Sequence, residues 1–166
     1  MPVYPGDPPV VIKQIFSYEK EGYVISELSF GNHTGTHIDV PSHMVKDGKT
    51  LNDFPVEYFY GRAIRYTKKL PKILNPKNEY KIVILEQIGV TEKIVDRIIS
   101  SKFKLVGFGN KCYWHIPFIK KLLAHDVLLV GELVNLDELP KSFYFSAFPL
   151  SFKKGDGSPV RAIAYL

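Results

Sequence analysis

Cysteine is almost missing from this chain. Cys112 stands alone among 166 residues, which excludes an intramolecular disulfide framework and is compatible with a reducing compartment. Long apolar runs are missing too. Stretches such as Val127-Leu128-Leu129-Val130 are far too short to cross a bilayer. The first residues, Met1-Pro2-Val3-Tyr4-Pro5-Gly6, lack a basic segment followed by an apolar one, so no signal peptide is expected and the expected location is cytoplasmic. A basic stripe is also wanting. The net charge is +5, but the lysines cluster only as pairs, Lys68-Lys69, Lys120-Lys121 and Lys153-Lys154. Such pairs are ordinarily solvated surface, so neither nucleic acid nor membrane is expected as a partner.

What is present suits an ordinary globular protein. Hydrophobic residues make up 45% and charged residues 23%. The length fits one domain, residues 1–166, able to bury a real core. Alternation and β-branched runs predict strands at 10–15, 23–30, 63–66, 81–85, 105–108 and 127–130. Two further strands, 143–152 and 160–165, are expected to be joined by a turn over 154–159. Helices are expected at 91–100, where Thr91 can cap, and at 116–124, where Pro117 occupies the first turn. The class is mixed α/β, with strands outnumbering helices.

Five histidines occur, and three fall within His33-Thr-Gly-Thr-His37-Ile-Asp39-Val-Pro-Ser-His43. Imidazole and carboxylate are the usual ligands of zinc and other borderline divalent ions. In an extended segment His37 and Asp39 share one face, while Ile38 points the other way, into a core. Gly35 and two threonines argue against a helix, so a turn at Gly35 is expected to bring His33 back towards His37. Pro41 then lets His43 approach from another direction. A lone histidine is more often a satisfied polar residue than a ligand; two with an aspartate at this spacing form a ligand cluster less easily dismissed.

The same run resembles the signature of the metal-dependent cyclase family, which includes bacterial kynurenine formamidase: His-x-Gly-Thr-His-x-Asp-x-Pro-x-His, met here at every fixed position. Residues 2–8, 134–140 and 155–162 resemble the family's opening, late and closing segments. The resemblance implies a swivelling β/β/α fold in a homo-oligomer, a dimer or tetramer. It implies a divalent metal, zinc or manganese, on His33, His37 and Asp39, with His43 in catalysis. The implied reaction is hydrolysis of an amide or related carbonyl bond in a small-molecule substrate, as in the aryl formamide N-formylkynurenine. The ion would activate water and polarise the carbonyl, and His43 would act as base and then acid.

The chain departs from the family at the second metal. Two-metal members place a glutamate four residues before the late asparagine and a histidine twelve residues before that glutamate. Counting back from Asn135 gives Gly131, and the histidine position falls near Ile119 and Lys120. Glu132 is the nearest carboxylate and the candidate second ligand, but a one-residue shift turns a strand side chain to the opposite face. A bulge at Gly131 could undo that shift; plain loss, leaving a single-metal site, is the preferred reading. The rivals are a family member that binds one metal or a small ligand without hydrolysis and, more weakly, a nucleic-acid binder. Asp156 and Arg161 read as a tight turn and a surface ion pair rather than site residues. Cys112 reads as structural.

Overall fold

The computed structural model describes residues 3–71, 74 and 79–166; Met1 and Pro2 of the opening segment lie outside them. The elements are β1 (Val11–Phe16), α1 (Tyr18–Glu21), β2 (Ile25–Ser29), β3 (His37–Asp39), β4 (Tyr60–Thr67), β5 (Ile82–Glu86), α2 (Glu92–Ser100), β6 (Leu105–Gly109), α3 (Ile116–Leu123), β7 (Leu128–Leu133), β8 (Ser142–Ser146), β9 (Gly157–Pro159) and β10 (Ile163–Tyr165). Short 3₁₀ turns punctuate the stretch between β3 and β4. The expected mixture of strands and two main helices is therefore present. Thr91 stands at the N-cap of α2 in extended conformation, but its hydroxyl makes no cap hydrogen bond.

Eight strands form one sheet in the order β10-β8-β4-β5-β6-β7-β3-β9. β4 to β7 run parallel and the flanking strands pair antiparallel. β5 is buried at all five positions, as a parallel strand covered on both faces must be. Ile82, Ile84, Leu105, Leu128 and Val130 pack in the cluster of one face. Val83, Leu85, Val106 and Leu129 meet Val95 and Ile98 of α2 and Leu122 and Leu123 of α3 on the other.

The end of the chain corrects the hairpin reading. β10 does pair with β8, Ile163 opposite Ser146. But 157–159 is not a turn: it is β9, paired with β3 at the far end of the strand order. Only residues 160–162 separate β9 from β10, and three residues span roughly 10 Å. The two ends of the sheet must therefore come close, so the sheet is curled. The turn-like composition of Gly157-Ser158-Pro159 hid a strand because Pro is tolerated at a sheet edge.

β1 and β2 form a separate antiparallel ribbon. Its residues are exposed almost throughout, and Ile12 and Leu28, directly opposite each other, are 70% and 59% exposed.

Candidate metal centre

β3 is the scaffold of the site. It lies between β7 and β9, with His37, Ile38 and Asp39 opposite Gly131, Val130 and Leu129. Ile38 is fully buried in one core cluster, which forces His37 and Asp39 onto the other face, the helical side that Leu129 shares. Gly35 takes φ +65°, a conformation glycine adopts at little cost, and the chain folds back so that the rings of His33 and His37 meet edge to face, 5.3 Å apart. His33 Nδ1 lies 2.8 Å from Asp39 Oδ1 and His37 Nε2 lies 3.3 Å from the same oxygen. His33, His37 and Asp39 offer ligand atoms within 4.8 Å of one another. Two imidazole nitrogens and a carboxylate oxygen suit zinc or a similar divalent ion.

The ring orientations are held from behind. His37 Nδ1 is 2.7 Å from the carbonyl of Gly35, so as a donor there it leaves Nε2 facing Asp39. His43 ends the 3₁₀ turn Pro41–His43, and its ring stacks on His33 at 3.9 Å. The partner that the sequence reading set aside is Asp156. Its Oδ2 is 3.0 Å from His33 Nε2 and 3.3 Å from His43 Nδ1, and Asn32 Nδ2 donates to Oδ1 at 2.6 Å. His33, His43 and Asp156 form a second group with converging ligand atoms. Asp156 thus adjoins the candidate ligand cluster. Arg161 lies instead on an open cleft of about 510 Å³ whose walls include Gly35, Thr36, Asn110 and Glu132.

Gly157 explains how Asp156 is delivered. A Cβ added there would stand 2.4 Å from His33 Cε1 and 2.8 Å from the carbonyl of Ile38. Only glycine lets the chain pass so close beneath the His33 ring. Gly-Asp-Gly reads equally well as an ordinary turn, so the signal in the sequence was weak.

Burial works against charge on Asp39, but hydrogen bonds and charge from His33 and His37 outweigh it and hold the carboxyl down at about 2. Burial likewise opposes the charged imidazoles, yet Asp39 and Asp156 raise His33, and Asp39 with the Gly35 carbonyl raises His37. In metal-free protein the raised imidazoles add stability that is fully present below pH 6.5 and is lost as pH climbs through their folded values. The Asp39 contribution is present above 3.8 and is lost as pH falls through about 2. An ion must displace the imidazole protons. The rise in Tm on adding zinc should therefore grow between roughly pH 6 and pH 8. A rise that shrinks over that interval, read by calorimetry, would contradict an ion on these imidazoles.

The second-site positions fall as follows. Gly131 is opposite His37, and a Cβ there would be 3.4 Å from His37 Cε1; a carboxylate at 131 would enter the site. β7 does bulge at this point, since Gly107 pairs with Val130 but Gly109 with Leu133. The sequence reading preferred no bulge. The extra residue is accommodated at Glu132, with φ +55°, and not by glycine. Glu132 is exposed; Thr36 Oγ1 donates to its carbonyl at 2.8 Å, and its carboxylate is in neither gathered ligand group. His115 stands at the N-cap of α3 against Phe118, and His125 Nδ1 lies 2.8 Å from the carbonyl of Lys121. The Cys112 thiol is pushed up by burial and lies 3.1 Å from the Leu85 carbonyl, as a structural residue would be.

Comparison with known proteins gives the family and the fold. The family model described as putative cyclase matches residues 1–138. The kynurenine formamidase of Bacillus anthracis is 30% identical, over 96% of this chain and 89% of that protein. An uncharacterized protein of Methanocaldococcus jannaschii is 31% identical, over 98% and 92%. Among solved structures, a potential metal-dependent hydrolase with cyclase activity matches with TM-score 0.75 at 22% identity, over 99% and 90% of the two chains. An isatin hydrolase bound to the product analogue thioisatinate matches with TM-score 0.76 at 20% identity, over 95% and 82%. The chain belongs to the putative cyclase family, whose members here include a kynurenine formamidase.

Proposed function

We propose that this chain is a metal-dependent hydrolase that cleaves an amide or related carbonyl bond of a small molecule, with one zinc or manganese ion on His33, His37 and Asp39. The observation that carries the reading is the convergence of those three donors beside a fourth residue, His43, that is stacked on one of them. A divalent ion held there supplies Lewis acidity, lowering the pKa of water and polarising a carbonyl. The chain's own part is to orient and to move protons. His43 presents Nδ1 to Asp156, which leaves Nε2 to take a proton from water and return it to the leaving amine. Its side chain is 28% exposed, enough to meet a substrate.

The relatives named kynurenine formamidase and isatin hydrolase support an aryl substrate. Gly131 in place of a carboxylate favours a second reading, a one-metal binding protein without ordinary hydrolase activity. Zinc- or manganese-loaded protein assayed on aryl formamides separates the two. Hydrolysis above the His43→Ala background supports the enzyme, weaker than in two-metal relatives; none at saturating metal supports the second reading.

A cytoplasmic setting and a homo-oligomer, dimer or tetramer, are part of the proposal, which includes no nucleic-acid or membrane partner. Among the described residues no helix is long and apolar enough to cross a membrane. The oligomer is argued from the β1–β2 ribbon. A two-stranded ribbon alone is marginally stable in water, and this one exposes Ile12 and Leu28. Residues 11–29, the ribbon with its connection, carry two lysines and three glutamates, a net −1 within a chain of +5, which favours a second copy as the surface that covers it. Sedimentation should give a dimer or larger for the native chain and a smaller species for Ile12→Glu. A native monomer at tens of micromolar, above the roughly micromolar or tighter Kd of standard-size interfaces, would remove this part.

A further inference from the structure

An imidazole can ligate a metal only through a nitrogen that carries no proton, and the hydrogen bond at its other nitrogen decides which one that is. For His37 the Gly35 carbonyl settles the matter. Among the described residues His33 and His43 have no such carbonyl; both turn a ring nitrogen to Asp156 Oδ2, at 3.0 and 3.3 Å. We propose that Asp156 is the positioning residue of this site. It accepts the Nε2–H of His33, so that Nδ1 is the nitrogen facing Asp39 and an ion. It also accepts the Nδ1–H of His43, so that Nε2 is the nitrogen free to take a proton. One carboxylate oxygen thereby sets the tautomer of a ligand and of the acid/base group together.

The arrangement is built rather than incidental. Asn32, one residue before His33, donates to the other oxygen of Asp156 at 2.6 Å, which stops the carboxylate from rotating away. Gly157 lets β9 run beneath the His33 ring, and β9 is paired to β3 along its length, His37 with Pro159 and Asp39 with Gly157. The strand that directly follows Asp156 is therefore in register with the strand that carries two of the proposed ligands. Loss of an outer partner of a ligating histidine ordinarily costs 10–100-fold in metal affinity or activity, as an order of magnitude.

The His43 half of this proposal rests on the hydrolase reading; the His33 half does not. The test measures zinc affinity by chelator competition and records long-range ¹H–¹⁵N spectra of the histidine rings in zinc-loaded native, Asp156→Ala and Asp156→Asn proteins. Native protein should show His33 protonated at Nε2 and metal-bound through Nδ1. Asp156→Ala should bind zinc roughly 10–100-fold more weakly and lose that ring pattern. Asp156→Asn, whose amide oxygen can still accept one hydrogen bond, should recover part of both. If Asp156→Ala does not fold, judged by circular dichroism, Asp156→Asn alone carries the comparison, with an intermediate loss expected. Native affinity and an unchanged His33 pattern in the folded variants would overturn the proposal. Should the native protein hydrolyse no amide, the affinity and the spectra still decide the His33 half while the hydrolase reading fails.

Discussion

His37→Ala is expected to abolish tight binding of a divalent ion. Of the three proposed ligands, His37 is the one most firmly set by the backbone. It stands on β3 with pairing on both sides, its Nδ1 is tied to the Gly35 carbonyl at 2.7 Å, and its Nε2 lies 3.3 Å from Asp39. Alanine leaves one imidazole and one carboxylate, too few for a closed N/O site. The loss should exceed the roughly 10–100-fold expected for an outer partner such as Asp156. Asp39, only 7% exposed, would also lose one of the two imidazoles that stabilise its charge, so the metal-free variant should unfold at lower temperature than the native chain. Equilibrium dialysis against zinc, manganese or cobalt checks the first effect. Uptake equal to that of native protein would show that the ion sits elsewhere.

The second large effect is catalytic. His43→Ala should keep the metal and lose about 10²–10⁴ in rate, the usual contribution of a positioned proton transfer. His43 stands apart from the group around Asp39, with His33 and Asp156 in the other gathered group. It rides on the turn Pro41–His43, with Pro41 buried, and contacts His33 by stacking and Asp156 by a hydrogen bond. The gathered set around Asp39 does not contain it. Metal content and rate must be measured on the same preparation. Parallel loss of both would move His43 among the ligands; an unchanged rate would remove it from the chemistry.

Local chemistry made much of this site legible in the sequence. Alternation along His37-Ile38-Asp39 puts the two candidate ligands on one face, and burial of Ile38 obeys the same rule. Gly35 supplied the turn that returns His33. The run at 81–85 reads as a strand, and β5 proves to be buried at every position. What escaped depended on pairing between distant parts of the chain. Asp156 is 123 residues from His33 and 113 from His43, and nothing near it in sequence distinguishes a site carboxylate from a turn aspartate. Gly157–Pro159 has turn composition, yet a partner 120 residues away makes it a strand. A bulge at Gly131 is the less favoured option in the sequence because it needs a special local geometry; β7 does bulge, with the positive φ on Glu132 and not on the glycine.

Gly131 opposite His37 leads to a count. A chain with glycine there, isoleucine at 119 and an exposed Glu132 should hold one ion and not two. Crystals grown with zinc or manganese and measured at the metal's absorption edge give that count directly. The account predicts one anomalous peak per chain, within coordination distance of His33 Nδ1, His37 Nε2 and Asp39. Two peaks a few ångströms apart sharing Asp39, with Glu132 or a displaced histidine holding the second, would contradict the single-metal claim, and no peak at these three residues would contradict the metal centre altogether.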